Sequence, residues 1–327
     1  MHKTSRQSFL YVAGASVASG SAALAATRRI ARAQSMTTVR LADQIGSEVD
    51  YAAIWVAEHE GYFKDAGITI HRDTYSNGPE GLLHYANGEE DAMVAGFAPF
   101  MEAASRGTKF VMVMSVTKNN APLVGAKSMD GYASLNGKTV GSPGIGTVQD
   151  AILSYAESKF NISFKRSFAK VTAFVPMMQN KEIDAFISWE PAAATAISQD
   201  SGLHYVAQNP PIPNAESLEL IFSPQFVAQH KDVVRNFVKA TLKGIDYIKS
   251  HSTADVAKIV AAKMNQPGAT GVVEMALKSV IVTEPKLDMP SSRIILRTLA
   301  ESGKIPKSVG DDPDAFMKQV IDYSYLS

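Results

Sequence analysis

The sequence predicts an α/β fold in two lobes, each a mainly parallel sheet flanked by helices. Three observations carry this. Short apolar strands alternate with helical stretches of roughly ten residues, the pattern of βαβ units. The scheme occurs twice: Asp91-Ala92-Met93-Val94, followed by Phe97 and Pro99, is echoed by Asp184-Ala185-Phe186-Ile187, followed by Trp189 and Pro191, with a spacing that differs by one residue. A chain of 327 residues, 46% of them hydrophobic, is long and apolar enough for two cores.

The elements follow in order. Val39 to Ala42 alternates like a short strand, and Asp50 is placed to cap a helix from Tyr51 to Glu60, which Gly61 ends. Gly67 to Ile70 is a second strand. Ser76-Asn77-Gly78-Pro79-Glu80 has a polar cap, a proline in the first turn and an acid at the positive end, so a helix starts there. Asp91 to Ala95 is the third strand. Phe110 to Val116 is almost wholly apolar, as expected of a buried parallel strand. The second lobe opens with a strand at Lys138 to Gly141, and Thr147-Val148-Gln149-Asp150 begins a helix with a cap-like pattern. The three prolines between Gln208 and Ser217 indicate a crossover, followed by a strand at Leu218 to Phe222. Helices are expected over Val233–Lys249, Thr253–Met264 and Val272–Val280. These give an export segment over 1–33, one lobe from 34–118 plus 214–327, and a second from 119–213.

The N-terminus reads as a secretory signal. Residues 1–33 hold five basic groups and no acid, an Ala-, Gly- and Ser-rich apolar run from Phe9 to Ala26, and a small-x-small site at Ala31-Arg32-Ala33. Ser5-Arg6-Gln7-Ser8-Phe9-Leu10 resembles the twin-arginine export motif, with Gln7 in place of the second arginine. A periplasmic protein is expected. The whole chain has 32 basic and 32 acidic groups, and removal of the signal leaves 27 against 32, a formal −5. That balance argues against a nucleic-acid partner, which rewards clustered Lys and Arg. The chain has no cysteine, which excludes disulfides, thiolate metal sites, a cysteine nucleophile and a lipid anchor on cysteine.

Five segments in order resemble the sulfonate/nitrate/taurine/thiamine-pyrimidine class of ABC-transporter substrate-binding proteins. They are Trp55 to Ile68, Gly88 to Ala92, Gly137 to Gly141, Asp184 to Pro191, and Phe226-Val227 with Val233 to Phe237, and the resemblance covers about residues 38–245. It implies a type II periplasmic binding fold, two lobes joined by two crossovers, closing on a small-molecule ligand. The partners it implies are a permease and an ATPase on separate chains, and no Walker motif occurs in this one. A monomer without cofactor or metal is expected.

In open α/β sheets ligands collect beyond the carboxyl ends of the strands, and pockets favour domain interfaces. This selects the loops 44–47, 76–78, 96–98, 142–147 and 189–191. The candidate ligand-binding residues are Gln44, Tyr51, Ser76, Asn77, Gly78, Phe97, Ser142, Gly144, Gly146, Thr147, Trp189 and Glu190. Phe97 is expected to be exposed, and Glu190 to meet either a lysine across the hinge or a cationic ligand group. These loops contain no Lys or Arg, whereas a compact dianion would recruit arginine. The expected ligand is therefore a small organic molecule (sulfonate, heteroaromatic or amine-containing) rather than nitrate or bicarbonate. Two other functions compete: a ligand sensor presenting to a membrane receptor, and a thiamine-pyrimidine-synthase-like enzyme. Against an enzyme, the seven histidines show no HExxH spacing, no Gly-x-Ser-x-Gly elbow occurs, and the cysteine-rich iron motif of that synthase branch is missing.

Overall fold

The computed structural model describes residues 36–327; the export segment and its cleavage site lie outside the described residues. Ten strands form two five-stranded mixed sheets. They are β1 (Thr37–Gln44), β2 (Ile68–Tyr75), β3 (Ala92–Gly96), β4 (Val111–Lys118), β5 (Leu123–Ala126), β6 (Thr139–Ser142), β7 (Lys165–Phe168), β8 (Ala185–Ile187), β9 (Leu203–Ala207) and β10 (Glu216–Phe222). The orders are β2-β1-β3-β10-β4 in lobe 1 and β7-β6-β8-β5-β9 in lobe 2. In each sheet four strands point one way and a single strand, β10 or β5, runs against its two neighbours. Helices flank both sheets, an α/β two-domain architecture.

The echo in the sequence is a structural one. Asp91 precedes β3, and its carboxylate accepts the Arg40 N–H of β1 at 3.0 Å while its own N–H donates to the Arg40 carbonyl at 3.0 Å. Asp184 precedes β8 and does the same to Thr139 of β6, both bonds at 2.8 Å. In each lobe an aspartate at the strand entrance satisfies the neighbouring backbone and sets the parallel register.

Several local readings change. The apolar strand β4 is not a parallel one: it pairs with β10 antiparallel, and its apolar character reflects burial by the C-terminal segment, which bridges it at Met112–Ile321 and Lys118–Ile281. Asp50 does not cap the helix Ala52–His59, whose N-cap is Tyr51 without a side-chain bond. Strands β5, β7 and β9 and the helix Met289–Glu301 carry too little periodic signal to have been read. The cap at Asn77 is as expected, its Oδ1 accepting the Glu80 N–H at 3.0 Å, and so is the cap at Thr147 on Asp150, at 3.2 Å.

Asp50 turns instead into the junction between the sheets. Its Oδ1 accepts from Asn120 Nδ2 at 2.7 Å, and its Oδ2 is buried without a partner. Burial pushes its carboxyl up to about 8. In the long helix Lys231–Ser250, Gly244 lies against the helix Ala52–His59 so closely that a Cβ there would sit 2.0 Å from the Ala53 carbonyl oxygen.

Two outcomes are expected. Replacing Gly244 with alanine should gain about 1 kcal/mol of helix propensity but lose more to the clash, so urea unfolding should show a net loss of about 1 kcal/mol or more. Asp50 has a folded pKa above its unfolded one, so its contribution is complete at low pH and is lost as pH rises from about 4 to about 8. Asp50→Asn should flatten that decline: thermal melts should favour the variant over wild type more at the alkaline end of the window than at the acid end.

Candidate functional site

The carboxyl ends of β1, β3, β6 and β8 face one another across the seam between the lobes. A cavity of about 10 Å³ lies there, lined from lobe 1 by Gln44, Gly78, Pro79, Gly96, Pro99, Ser217 and Leu218, and from lobe 2 by Thr147, Val148, Gln149 and Trp189. Such a volume holds at most a single water. The lobes are therefore in contact, and a larger ligand enters only when they part.

The approach is close because the facing residues are small. A Cβ on Gly96 of lobe 1 would come within 2.8 Å of Val148 Cγ2 of lobe 2. A Cβ on Gly46 would meet Trp189 Nε1 at 3.3 Å, one on Gly146 would meet Glu102 Oε1 at 3.3 Å, and one on Gly144 would lie 3.8 Å from Asn77 Nδ2. Gly46 and Gly146 also have φ of +77°, which side chains other than glycine rarely adopt.

Three helices begin at this cavity: Gly78–Ala86, Phe97–Ser105 and Val148–Phe160. Their N-termini present the positive ends of helix dipoles, which favour an anionic or electronegative group, although Asn77 and Thr147 each cap one N–H and Pro79 and Pro99 have none. The helix Phe97–Ser105 has no side-chain cap, so its first N–H groups are not taken by a side chain. Trp189 adds a donor: it is 2% exposed, and its indole Nε1 has no hydrogen-bond partner. Every residue lining the cavity is uncharged. The arrangement suits an electronegative head held by neutral donors.

Of the twelve candidates, Gln44, Gly78, Thr147 and Trp189 line the cavity. Asn77, Gly144 and Gly146 stand at the seam, and Ser76 sits beside them with its N–H donating to Glu80. Ser142 is fully buried at the end of β6, its Oγ without a partner. Three others point elsewhere. Phe97 is not exposed: it starts its helix directly after β3 and is turned into the core. Tyr51 is 1% exposed and packs in the lobe 1 core, its hydroxyl accepting the Gln44 N–H at 2.8 Å. Glu190 meets neither a lysine nor the cavity. It is buried in lobe 2, accepting from Tyr205 Oη at 2.5 Å and Ala194 N–H at 2.9 Å, and its burial pushes the carboxyl up.

The reading missed Gln149, Ser217 and Asn120. Gln149 Nε2 donates to the Asn120 carbonyl at 3.1 Å, and Asn120 N–H donates to Ser217 Oγ at 2.9 Å. Gln149 stood one turn from a recognised cap, which is a usable signal. Asn120 and Ser217 had none, because their value comes from crossing segments far apart in sequence.

Comparison with known proteins bears on the family and the fold. The chain is 20% identical over 302 residues to YtlA of Bacillus subtilis, covering 84% of this chain and 86% of that protein. Its fold is similar to that of the alkanesulfonate-binding protein SsuA from Xanthomonas axonopodis pv. citri bound to MOPS, with a TM-score of 0.70, 16% identity and coverage of 85% of this chain and 98% of that one. It is also similar to the periplasmic nitrate-binding protein NrtA from Synechocystis PCC 6803, with a TM-score of 0.69, 14% identity and coverage of 89% and 87%. Among the described residues no helix is long and apolar enough to cross a membrane. A family model described as NMT1/THI5 like matches residues 48–254, well over half of the sequence, and the chain belongs to that family.

Proposed function

We propose that this protein is the solute-binding component of an ABC importer, exported to the periplasm, which captures a small organic ligand between its lobes and delivers it to a membrane permease. The observation that carries the reading is the seam cavity, walled from both lobes by neutral donors and helix N-termini. A ligand there touches both lobes only when they are closed, so it shifts an open–closed equilibrium by its differential affinity. The closed outline is then what a permease recognises. No lysine or arginine lines the cavity, which favours a head group such as a sulfonate, spread over several weak donors, above a compact dianion. The similarity to a sulfonate-binding fold that holds MOPS points the same way.

The test is a thermal-shift screen of the purified protein against taurine, alkyl and aryl sulfonates, nitrate, bicarbonate, thiamine pyrimidines, amines and aromatic acids. A ligand at about a thousand times its Kd adds roughly 4 kcal/mol, several degrees in a chain of this size. One organic class should give such a shift, whereas nitrate alone saturating the site would overturn the proposed ligand class. Trp189→Phe keeps the ring and removes the donor, and should weaken binding of that class by about tenfold. Gly96→Ala places a methyl against Val148 and should bias the protein towards the open form. Because the chain has no cysteine, spin labels on Leu83→Cys and Phe168→Cys, one on each lobe, can report this as a longer mean distance than in the parent.

A further inference from the structure

A second and larger space opens on the other side of Gly46. It is a groove of about 550 Å³ along the same seam, lined by Ile45 and Glu48 of lobe 1, by Val175, Pro176 and Ala192 of lobe 2, and by Met264 of the C-terminal helices, among others. Most of its wall is apolar or neutral, and Glu48 is the one ionisable residue that lines it.

Glu48 is an acid without a counter-charge. It is half-buried, and its carboxylate meets backbone N–H groups alone: that of Gly46, a long bond to Oε1 at 3.3 Å, and its own. Among the described residues its carboxylate has no ion-pair partner. The nearby cations are committed elsewhere. Arg72 bonds Asp43 at 3.1 Å and Glu58 at 2.9 Å, and Lys263 pairs with Glu58 at 3.3 Å. Burial and the like charge of Asp43 push the Glu48 carboxyl up, so the site rewards an added positive charge.

Gly46 connects this acid to the inner cavity. Its N–H touches Glu48, and its side-chain position faces Trp189 Nε1 at 3.3 Å. Gly46 belongs to lobe 1 and lines the groove, Trp189 belongs to lobe 2 and lines the cavity, and their contact lies between the two spaces. Side by side, the two spaces offer neutral donors and helix N-termini in the cavity, and mostly apolar or neutral walls with one carboxylate in the groove.

We infer that the ligand is amphoteric: its electronegative head lies against Trp189 and the helix N-termini, and a protonated amine on a short apolar body occupies the groove with Glu48 as its counter-charge. This deepens the interlobe-cleft reading and rests on it. An ammonium–carboxylate bond in a half-buried groove is charge-assisted and falls among the stronger hydrogen bonds.

The test uses calorimetry on the purified protein with three matched pairs of compounds: 3-aminopropanesulfonate and propanesulfonate, 4-aminobutanoate and butanoate, 3-aminopropanol and propanol. For whichever head group binds, the amine-bearing member should bind at least about tenfold tighter. Glu48→Gln should erase that advantage while leaving the amine-free member within about twofold of wild type, with an unchanged melting midpoint showing that the variant folds. If the amine gives no advantage, or the advantage survives in Glu48→Gln, the assignment of Glu48 is overturned while the cleft reading stands. If no member of any pair binds at millimolar concentration, the small-organic-ligand reading fails and this inference fails with it.

Discussion

The side chain and backbone of Asn120 are the point on which the two lobes depend. Asn120 lies in the first crossover, between β4 and β5, and every polar group it has is used. Its N–H donates to Ser217 Oγ on the second crossover strand at 2.9 Å, and its carbonyl accepts from Gln149 at 3.1 Å. Its Nδ2 donates to Asp50 at 2.7 Å, and its Oδ1 accepts the Glu190 N–H at 2.6 Å. One fully buried residue thus ties lobe 1, lobe 2 and both crossovers. The preceding Asn119, at φ +62°, donates its N–H to the Ala215 carbonyl at 2.8 Å and holds the crossovers side by side. Such satisfied buried groups specify one arrangement, and the exception in this network is Asp50, whose Oδ2 has no partner. These bonds hold the junction at which the two crossovers pass between the lobes.

Around that hinge, packing and polarity divide the work. Apolar contacts continue from lobe 1 into lobe 2, since Phe97, Phe100, Val140, Val148 and Ile152 belong to one buried cluster together with Ile295 and Leu299 of the C-terminal helix. Lys304, beyond that helix, pairs with the buried Asp150, which also holds Arg166 at 2.6 Å and the Gly146 N–H at 3.0 Å. The C-terminal segment therefore reaches lobe 2 while its end, at Ile321, bridges β4 of lobe 1. Facing glycines let the strand ends approach, and the donors left over at the seam are neutral.

The two lobes share a plan but not a surface. Asp91 and Asp184 perform the same backbone task, and the sheets have the same order. The difference of one residue after β3 and β8 sends the aromatic side chains in opposite directions. Phe97 enters a helix at once and turns into the core, whereas Trp189 stands three residues before its helix, Ala192–Gln199, and reaches the seam. The duplicated architecture thus carries an asymmetric site.

Much was legible in the sequence alone, because it depends on local chemistry. The alternation of strands and helices, the caps at Asn77 and Thr147, the paired aspartate motifs and the loops at the carboxyl ends of strands are written in neighbouring residues. The absence of Lys and Arg from those loops was legible too, whereas Glu190, an acid in one of them, turns out to face away from the cavity. What lay outside local chemistry was decided by the tertiary structure. The antiparallel placement of β4 required the return of β10 and the cover of the C-terminal segment. The inward turn of Phe97, Tyr51 and Glu190 required knowing which face of each loop meets a core. The knot at Asn120 joins groups 70 and 97 residues away in sequence, and no pattern in a single chain records such a meeting. Local sequence determined the strongly patterned elements and their caps; long-range packing decided the weaker elements and which side chains face the cleft, because both depend on residues far apart in the chain.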